Sequence, residues 1–507
     1  MSNAMNPVTL KELRQMVRSR LVAAGLIGFL TVALIAVTLV LLSSREELQR
    51  GISLGEQGLG QSVFHSVYFV LTVVLLFCAP FYVGIRMGAE RSGENLDLQY
   101  TTILKPRQFV DGKAASAFVL ILLFASAALP FLSLSYLLRG LDVFQALLAT
   151  LMLIVVAVCC VYEGLFLAAA TPSRVFRVII LLAALVFHAT LVGMVNAGGA
   201  AMVSFGSHIS FATWSGCVWP ALFLAGCASA CLLLRAATTS LIMPPPANRA
   251  PPVRVWITGL WIAWGVIAAF SAWVDREIDY LYMWAIVSII VMAVLSGISA
   301  SFAPGYSRRV LGEISPHRLA RLRHFVFFSG AENGMIWALL PGLASLLAAR
   351  LAEQIGLFGW TPSKDMNALR LTGFFLYLTA YVWSIRALWR LGLHKWITYR
   401  LAGVIAAVLI LLGWALPALI ALGDATGGSD AAWRVGNIFA VFTEDPPEIP
   451  FLVSIAGVWA AIALIANLPG LRAAARQFAA RGRSGPFGTS DPTAHATDNA
   501  AAANLTP

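Results

Sequence analysis

The number and length of the apolar runs constrain this chain more than any other feature of its sequence. A helix needs about 20 apolar residues to cross the hydrocarbon core of a bilayer. Open strands cannot satisfy their backbone hydrogen bonds in lipid, so runs of that length are expected to be helices. Twelve such runs are present, at 20–44, 62–85, 114–138, 143–170, 176–198, 212–234, 255–274, 281–303, 325–349, 371–391, 398–422 and 450–470. The sequence therefore predicts an all-α polytopic membrane helix bundle with about 12 transmembrane helices.

Composition excludes a water-soluble enzyme. Of the 507 residues, 59% are hydrophobic and 12% are charged, whereas soluble domains contain about 25% charged residues. Twelve spans and their short connections leave no length for a large soluble domain. We expect a multi-pass protein of the cell membrane, the inner or plasma membrane of a bacterium.

The distribution of Lys and Arg predicts that the N- and C-termini are both cytoplasmic. Cytoplasmic loops are enriched in these residues, and an odd number of spans would scramble their alternation. With the N-terminus inside, only eight of the 35 Lys and Arg residues fall on the opposite side: Arg45, Arg50, Arg139, Arg276, Arg350, Lys364, Arg370 and Arg434. The net charge of +11 is therefore attributed to membrane orientation and anionic lipid, and no nucleic-acid partner is expected.

A proline-rich stretch at 243–252 divides the chain into six plus six spans. Past residue 471 the sequence is rich in Ala, Arg, Gly, Ser and Thr, a composition typical of disorder. Residues 1–4 are either a cloning scar or the native start. The predicted organisation is an amphipathic interfacial helix at 1–20, a first six-helix half at 21–240, a Pro-rich linker at 241–254, a second six-helix half at 255–470 and a disordered cytoplasmic tail at 471–507.

Residues 6–20 are predicted to form an amphipathic helix on the inner leaflet. Thr9 and Glu12 have the spacing of a capping box. The helix has an apolar face and a basic face, formed by Leu10, Leu13 and Val17 and by Lys11, Arg14 and Arg18 respectively. It is either a generic basic anchor or a defined element that contacts a cytoplasmic partner.

The connection at 86–113 mixes four acidic with five basic residues. It contains a short helical pattern of Leu96, Tyr100 and Ile103 or Leu104, which we expect to end at Pro106. Orientation in the membrane requires the basic residues but not the acidic ones. The mixture therefore favours a surface that docks on a protein.

Two motifs resemble the membrane subunit of type-2 ATP-binding cassette exporters, over roughly residues 6–240. The first is the N-terminal pattern Asn6, Pro7, Lys11, Glu12, Leu13, Arg14 and Arg18. The second follows the second span and comprises Glu90, Arg91, Gly93, Leu96, Asp97, Leu98, Thr101, Thr102, Pro106, Gly112 and Lys113. In that family the stretch after the second span forms a coupling helix that rests on the ATPase, and the N-terminal helix lies along the membrane beside it.

The resemblance implies an exporter permease driven by a separate ATPase subunit, which would bind the ATP. The implied coupling contacts are Glu90, Arg91, Glu94, Leu96, Asp97, Leu98, Lys105 and Arg107, beside Lys11, Glu12, Arg14 and Arg18 of the N-terminal helix. The implied partners are the ATPase, the lipid bilayer, and a second copy or second permease chain if one chain does not complete the pathway.

We expect no nucleotide site, cofactor or catalytic residue in this chain. Gly112 and Lys113 are followed by Ala114 and lack the upstream glycine of a phosphate-binding loop. In the second half, residues 307–313 and 316–318 occupy the loop equivalent to 86–113. They form either a second, degenerate coupling element or a basic inner loop.

Glu163 and Glu332 are the only acidic residues within predicted spans. A carboxylate in a membrane is costly unless it is paired or hydrated, so each is a candidate intramembrane polar site. The alternative is structural pairing, of Glu163 with Arg174 or Arg177 and of Glu332 with the basic run at 318–323. We expect His65, His188 and the six cysteines to pack within apolar runs and to hold no metal.

Two rival functions remain open. An ion-coupled secondary transporter also fits six plus six spans, and would use Glu163 or Glu332 to carry the coupling ion. An intramembrane transferase or protease requires clustered acids, a His pair or an activated nucleophile, and no such motif is visible in the sequence.

Overall fold

A computed structural model describes most of the chain. The described residues are 6–44, 58–90, 105–138, 141–170, 174–204, 214–244, 247–302, 305–315, 317–355, 367–395, 398–423, 435–443 and 447–481. They form two compact units, residues 1–244 and 245–507, and the division falls within the predicted linker at 241–254. No β-strand occurs among the described residues, so the predicted all-α class is confirmed for them.

The first unit contains seven helices in its described part. They are α1 (Pro7–Val17), α2 (Arg20–Ser43), α3 (Leu59–Glu90), α4 (Pro106–Leu137), α5 (Val143–Ala170), α6 (Arg174–Ser204) and α7 (Trp214–Ile242). Helix α3 contacts α2, α4, α5 and α6 and so forms the centre of this unit. It contains one π-helical turn, Val74–Cys78.

Helices α3 and α5 approach closely because Gly164 has no side chain at their crossing. A Cβ atom added at Gly164 would lie 2.7 Å from the carbonyl oxygen of Pro80. Small residues permit such backbone contacts in membrane helix bundles, where packing replaces the hydrophobic driving force. Leu75 and Leu153 are fully buried in the same core.

The second unit contains nine α-helices in its described part, besides two short 3₁₀ helices at Leu393–Lys395 and Tyr399–Leu401. They are α8 (Ala250–Asp275), α9 (Asp279–Ala300), α10 (Arg308–Gly312), α11 (Arg318–Phe327), α12 (Ala331–Gln354), α13 (Asn367–Leu391), α14 (Ala402–Gly423), α15 (Ala440–Thr443) and α16 (Ile449–Arg481). Helix α9 packs mainly against α12, and α13 packs mainly against α16. Tyr377 and Leu452 are fully buried where α13 meets α16.

Eleven of these helices are long and apolar enough to cross a membrane. They expose apolar side chains such as Ile27, Leu34 and Leu39 of α2, a surface that lipid can cover. The chain is therefore a multi-pass membrane protein. The predicted span at 398–422 coincides with α14, in which the apolar stretch Ala402–Gly413 alone is shorter than a span. The twelfth span stays a prediction.

Pro106 begins α4, because proline is well tolerated in the first helical turn, and the short helix predicted before it lies outside the described residues. Two helix boundaries differ from the sequence prediction. The span predicted at 325–349 instead begins at Ala331, after the separate helix α11. Helix α16 continues to Arg481, so the first part of the predicted disordered tail is helical.

Candidate functional site

The N-terminal helix α1 is held against the start of α4. Asn6 caps α1, since its side-chain oxygen accepts a hydrogen bond from the Val8 N–H at 3.0 Å, and its amide donates to the Gln108 carbonyl at 2.5 Å. Thr9 donates a hydrogen bond to the carbonyl of Gly112 at 3.3 Å. A Cβ atom added at Gly112 would lie 2.6 Å from the Val8 Cβ. The two helices are thus in direct contact.

Five charged side chains form a cluster where α1, the end of α3 and the start of α4 meet. We call Lys11, Glu12, Arg86, Glu90 and Lys113 the N-terminal charge cluster. The Lys113 ammonium lies 2.7 Å from Glu12 Oε1 and 2.8 Å from Glu90 Oε2. Arg86 Nε lies 3.0 Å from Glu12 Oε2, and Lys11 Nζ lies 2.9 Å from Glu90 Oε1. Each carboxylate therefore has two cationic partners.

Burial differs sharply within the N-terminal charge cluster. The side chains of Lys113 and Glu12 are 1% and 5% exposed, whereas that of Lys11 is 55% exposed. Removing one partner of a buried ion pair lowers the stability of the folded protein by about 3–5 kcal/mol, because the remaining charge is left uncompensated. An exposed pair contributes about 1 kcal/mol or less. The bridge made by Lys113 is therefore the contact that fixes α1 to α3 and α4.

A second ion group connects α4 to α7. The Arg235 guanidinium forms a bidentate contact with the Asp111 carboxylate, with 2.5 Å between Nε and Oδ1. Arg107 Nε lies 3.8 Å from the same carboxylate. A bidentate pair fixes direction as well as distance, so it also sets the rotation of α4 relative to α7.

The residues that the sequence predicts to contact an ATPase do not all lie together in the structure. Lys11, Glu12 and Glu90 lie in the N-terminal charge cluster, while Arg14 and Arg18 are exposed. Lys105 is the N-cap residue of α4, and its backbone N–H donates to the Gln108 side chain at 3.1 Å. Arg107 is mostly exposed beside Asp111. The other candidates lie outside the described residues: Arg91, Glu94, Leu96, Asp97 and Leu98.

Helix α1 buries Val8, Thr9, Glu12 and Met16 against the protein, whereas Leu10 and Val17 of the predicted apolar face are exposed and available to lipid. Thr9 and Glu12 form no capping box, because Asn6 is the N-cap and Glu12 is used in ion pairs.

Sequence reasoning did not assign Arg86, Lys113, Asp111 and Arg235 to the site. The visible signals were the mixture of acidic and basic residues at 86–113 and, for Lys113, its place in the second motif.

Glu332 is neutralised by two arginines of α13. It accepts hydrogen bonds from Arg386 at 2.8 Å and from Arg390 at 2.5 Å. Arg390 also donates to the carbonyl of Asn467 in α16 at 3.1 Å. We expected pairing with the basic run at 318–323, but the cations in contact come from a later span. Glu332 thus links α12 to α13 and, through Arg390, to α16.

The described residues of the loop after the second span of this unit include α10 and α11, whereas Ala303, Pro304 and Pro316 lie outside the described residues. Burial first, and then the charge of Arg323, lower the pKa of His324 below its usual range. Its ring nitrogen Nδ1 accordingly accepts a hydrogen bond from the Ser315 N–H at 3.3 Å. On α11, Leu319 and Leu322 are exposed beside arginines, so the helix presents a mixed apolar and basic surface.

Glu163 lies within α5, and its carboxylate faces His188 of α6. Glu163 Oε2 is 3.8 Å from His188 Nε2. The Cys160 thiol is close to both, and the three potential ligand atoms lie within 4.8 Å of one another. The expected partners of Glu163, Arg174 and Arg177, have side chains outside the described part of the structure.

Comparison with known proteins identifies no relative of this chain. The chain matches no protein-family model, no curated protein and no solved structure.

Proposed function

We propose that this chain is the membrane-spanning permease subunit of an ATP-binding cassette transporter, an exporter driven by a separate ATPase subunit. The observation that carries the proposal is the Lys113 bridge, at 2.7 Å from Glu12 and 2.8 Å from Glu90. It joins the two motifs on which the resemblance rests. The two residues in contact, Glu12 and Lys113, are 101 residues apart in the sequence.

The arrangement explains how force could pass from a docked ATPase to the membrane helices. Residues 91–104 lie between Glu90, the last residue of α3, and Lys105, the N-cap of α4. A partner that pushes on this connection therefore acts on both helices at once. Because Lys113 also holds Glu12, the N-terminal helix α1 moves with them. Asp111 and Arg235 extend the same coupling to α7.

The partner should be an ATPase that docks through the connection 91–104. We expect reversal of Glu94 and Asp97 to lysine to abolish its docking while the protein still inserts, since surface charges govern encounter and docking specificity. The matched control is reversal of two exposed acids, Glu277 between α8 and α9 and Asp279 at the start of α9. These lie on the opposite side of the membrane in the proposed topology.

The experiment purifies the tagged chain from its native host and measures ATP hydrolysis of the complex. We expect the purified single chain to bind and hydrolyse no ATP, and the complex with a nucleotide-binding subunit to hydrolyse it. Unchanged co-purification and hydrolysis in the Glu94→Lys, Asp97→Lys variant would contradict the docking role. The mass of the complex also decides whether one chain or two chains form the pathway.

We propose in addition that both termini are cytoplasmic and that the host membrane is the inner or plasma membrane. Single cysteines at Gly55, Glu277 and Asp430 should react from outside, and those at Gly93 and Arg318 from inside. The native cysteines are removed first. Cytoplasmic labelling at Glu277 would overturn the topology.

An ion-coupled secondary transporter is the second candidate, favoured by Glu163 and His188 at 3.8 Å within helices that span the membrane. Ionisable side chains that face one another within a membrane are the kind of group from which proton relays in transporters are built. Glu332 is less suited to this role because Arg386 and Arg390 already neutralise it. Transport by proteoliposomes containing this chain alone, driven by a proton or sodium gradient and lost in Glu163→Gln, would establish this function in place of the first.

A further inference from the structure

Cys160, Glu163 and His188 have the composition and geometry of a metal site. We propose that they bind a borderline transition-metal cation of the Zn²⁺ class within the first unit. Cys160 and Glu163 are three residues apart on α5 and therefore lie on one face of it, and His188 faces them from α6. This proposal is independent of the proposed transport function, because it depends on ligand chemistry alone.

The histidine is already oriented as a metal ligand. His188 is 2% exposed, and its Nδ1 is 2.8 Å from the carbonyl oxygen of Ala184. That contact is a hydrogen bond when Nδ1 carries a proton, and in the neutral imidazole the lone pair then lies on Nε2. Metal-binding histidines commonly donate their other ring N–H to a backbone carbonyl in this way.

The other ring nitrogen of His188 has no hydrogen bond to any residue that the structure describes. Its distance of 3.8 Å from Glu163 Oε2 is too long for one. A buried polar atom without a partner is rare and requires an explanation. A cation between the imidazole and the carboxylate provides that partner.

The distances fit a tetrahedral cation after a small side-chain adjustment. Zinc bonds of about 2.0–2.3 Å place neighbouring ligand atoms about 3.3–3.7 Å apart at tetrahedral angles. The separation of Glu163 from His188 is already close to this range, at 3.8 Å. The three ligand atoms lie within 4.8 Å of one another, so a movement of about 1 Å would suffice. The fourth position stays open for water or another ligand.

The ligand set selects among cations. A thiolate and an imidazole suit zinc and related transition metals, whereas magnesium and calcium prefer oxygen ligands. Cys160 is 2% exposed and must lose its thiol proton to solvent when the metal binds. The Glu163 side chain is 19% exposed and is therefore the most accessible of the three ligands. Phe77, Phe81 and Phe187 surround the imidazole and exclude water from it.

The test uses the full chain, purified in lipid nanodiscs and stripped of metal with a chelator. Cobalt(II) chloride is the probe, because a bound thiolate gives cobalt a near-ultraviolet charge-transfer absorption. We expect one cobalt per chain, displaced by zinc chloride. Cys160→Ser should remove the thiolate absorption, and His188→Gln should weaken zinc binding by about 100-fold or more, beyond typical losses from outer-shell changes.

Cys159→Ser is the matched control. Cys159 neighbours Cys160 in sequence, but its sulfur lies 3.3 Å from that of Cys231 in α7. The control variant should retain cobalt and zinc binding. The proposal is overturned if the native chain shows no thiolate absorption, if that absorption survives Cys160→Ser, or if Cys159→Ser removes it equally.

A second measurement avoids variants that fail to fold. X-ray absorption of the zinc-loaded native chain should show one sulfur ligand together with nitrogen and oxygen ligands. Two or more sulfur ligands would instead place the metal at Cys159 and Cys231 and contradict the proposed site.

Discussion

Replacing Lys113 with methionine should release α1 from the membrane helices. Methionine is similar in length but carries no charge, so Glu12 and Glu90 lose the cation that they share. Each keeps one other partner, Arg86 at 3.0 Å and Lys11 at 2.9 Å. We therefore expect the docking of α1 to be weakened by about 3 kcal/mol, the low end of the range for a broken buried ion pair. This corresponds to a roughly 100-fold increase in the population with α1 undocked.

The assay measures how quickly a buried cysteine in α1 reacts. Val8 is 7% exposed and packs on Gly112, so a cysteine at this position reacts only when α1 leaves α4. In a chain without native cysteines, Val8→Cys should react roughly 100-fold faster when Lys113→Met is added, in proportion to the undocked population.

Lys11→Met is the control, because it also removes a partner of Glu90 but from an exposed pair. We expect at most about a fivefold increase in its reaction rate, equivalent to about 1 kcal/mol. Glu12→Gln combined with Lys113→Met should cost less than the sum of the single changes, since both act on one contact. If Lys11→Met and Lys113→Met accelerated the reaction of the Val8→Cys cysteine equally, burial would not explain the strength of the Lys113 bridge.

Three further substitutions test other contacts. Gly164→Val should disturb the packing of α3 on α5 by about 1–3 kcal/mol, because its Cβ would lie 2.7 Å from the Pro80 carbonyl oxygen; an unchanged melting temperature would contradict this. Glu332→Gln should destabilise the second unit by about 3 kcal/mol in denaturant titrations, and Glu332→Asp should recover part of the loss. Arg235→Met should lower the stability of the first unit by about 1 kcal/mol, because Asp111 is 33% exposed. A loss of stability as large as that caused by Glu332→Gln would show that exposure does not determine how much an ion pair contributes.

The membrane helices could be predicted from the sequence because hydropathy is a local property. The first predicted span, 20–44, corresponds to α2 at Arg20–Ser43, and the run at 255–274 lies within α8 at Ala250–Asp275. Each apolar run carries its own evidence for a helix, independent of any neighbour. The fold class and the approximate positions of the spans followed from that evidence.

The pairing of charged residues could not be predicted in the same way. Nothing near Lys113 in the sequence indicates that its partners include Glu12, 101 residues earlier. Glu332 was matched to the nearest basic run, whereas its partner Arg386 is 54 residues later.

The long sequence separation within the Lys113 bridge also sets an order of assembly during synthesis. Lys113 is added 101 residues after Glu12, which corresponds to roughly 5–20 s at ribosomal rates of about 5–20 residues per second. Throughout that interval α1 has no lysine to close its buried contact. Helices α2 and α3 are therefore synthesised before the N-terminal helix can be fastened, and nascent chains arrested before Lys113 should leave α1 open to protease.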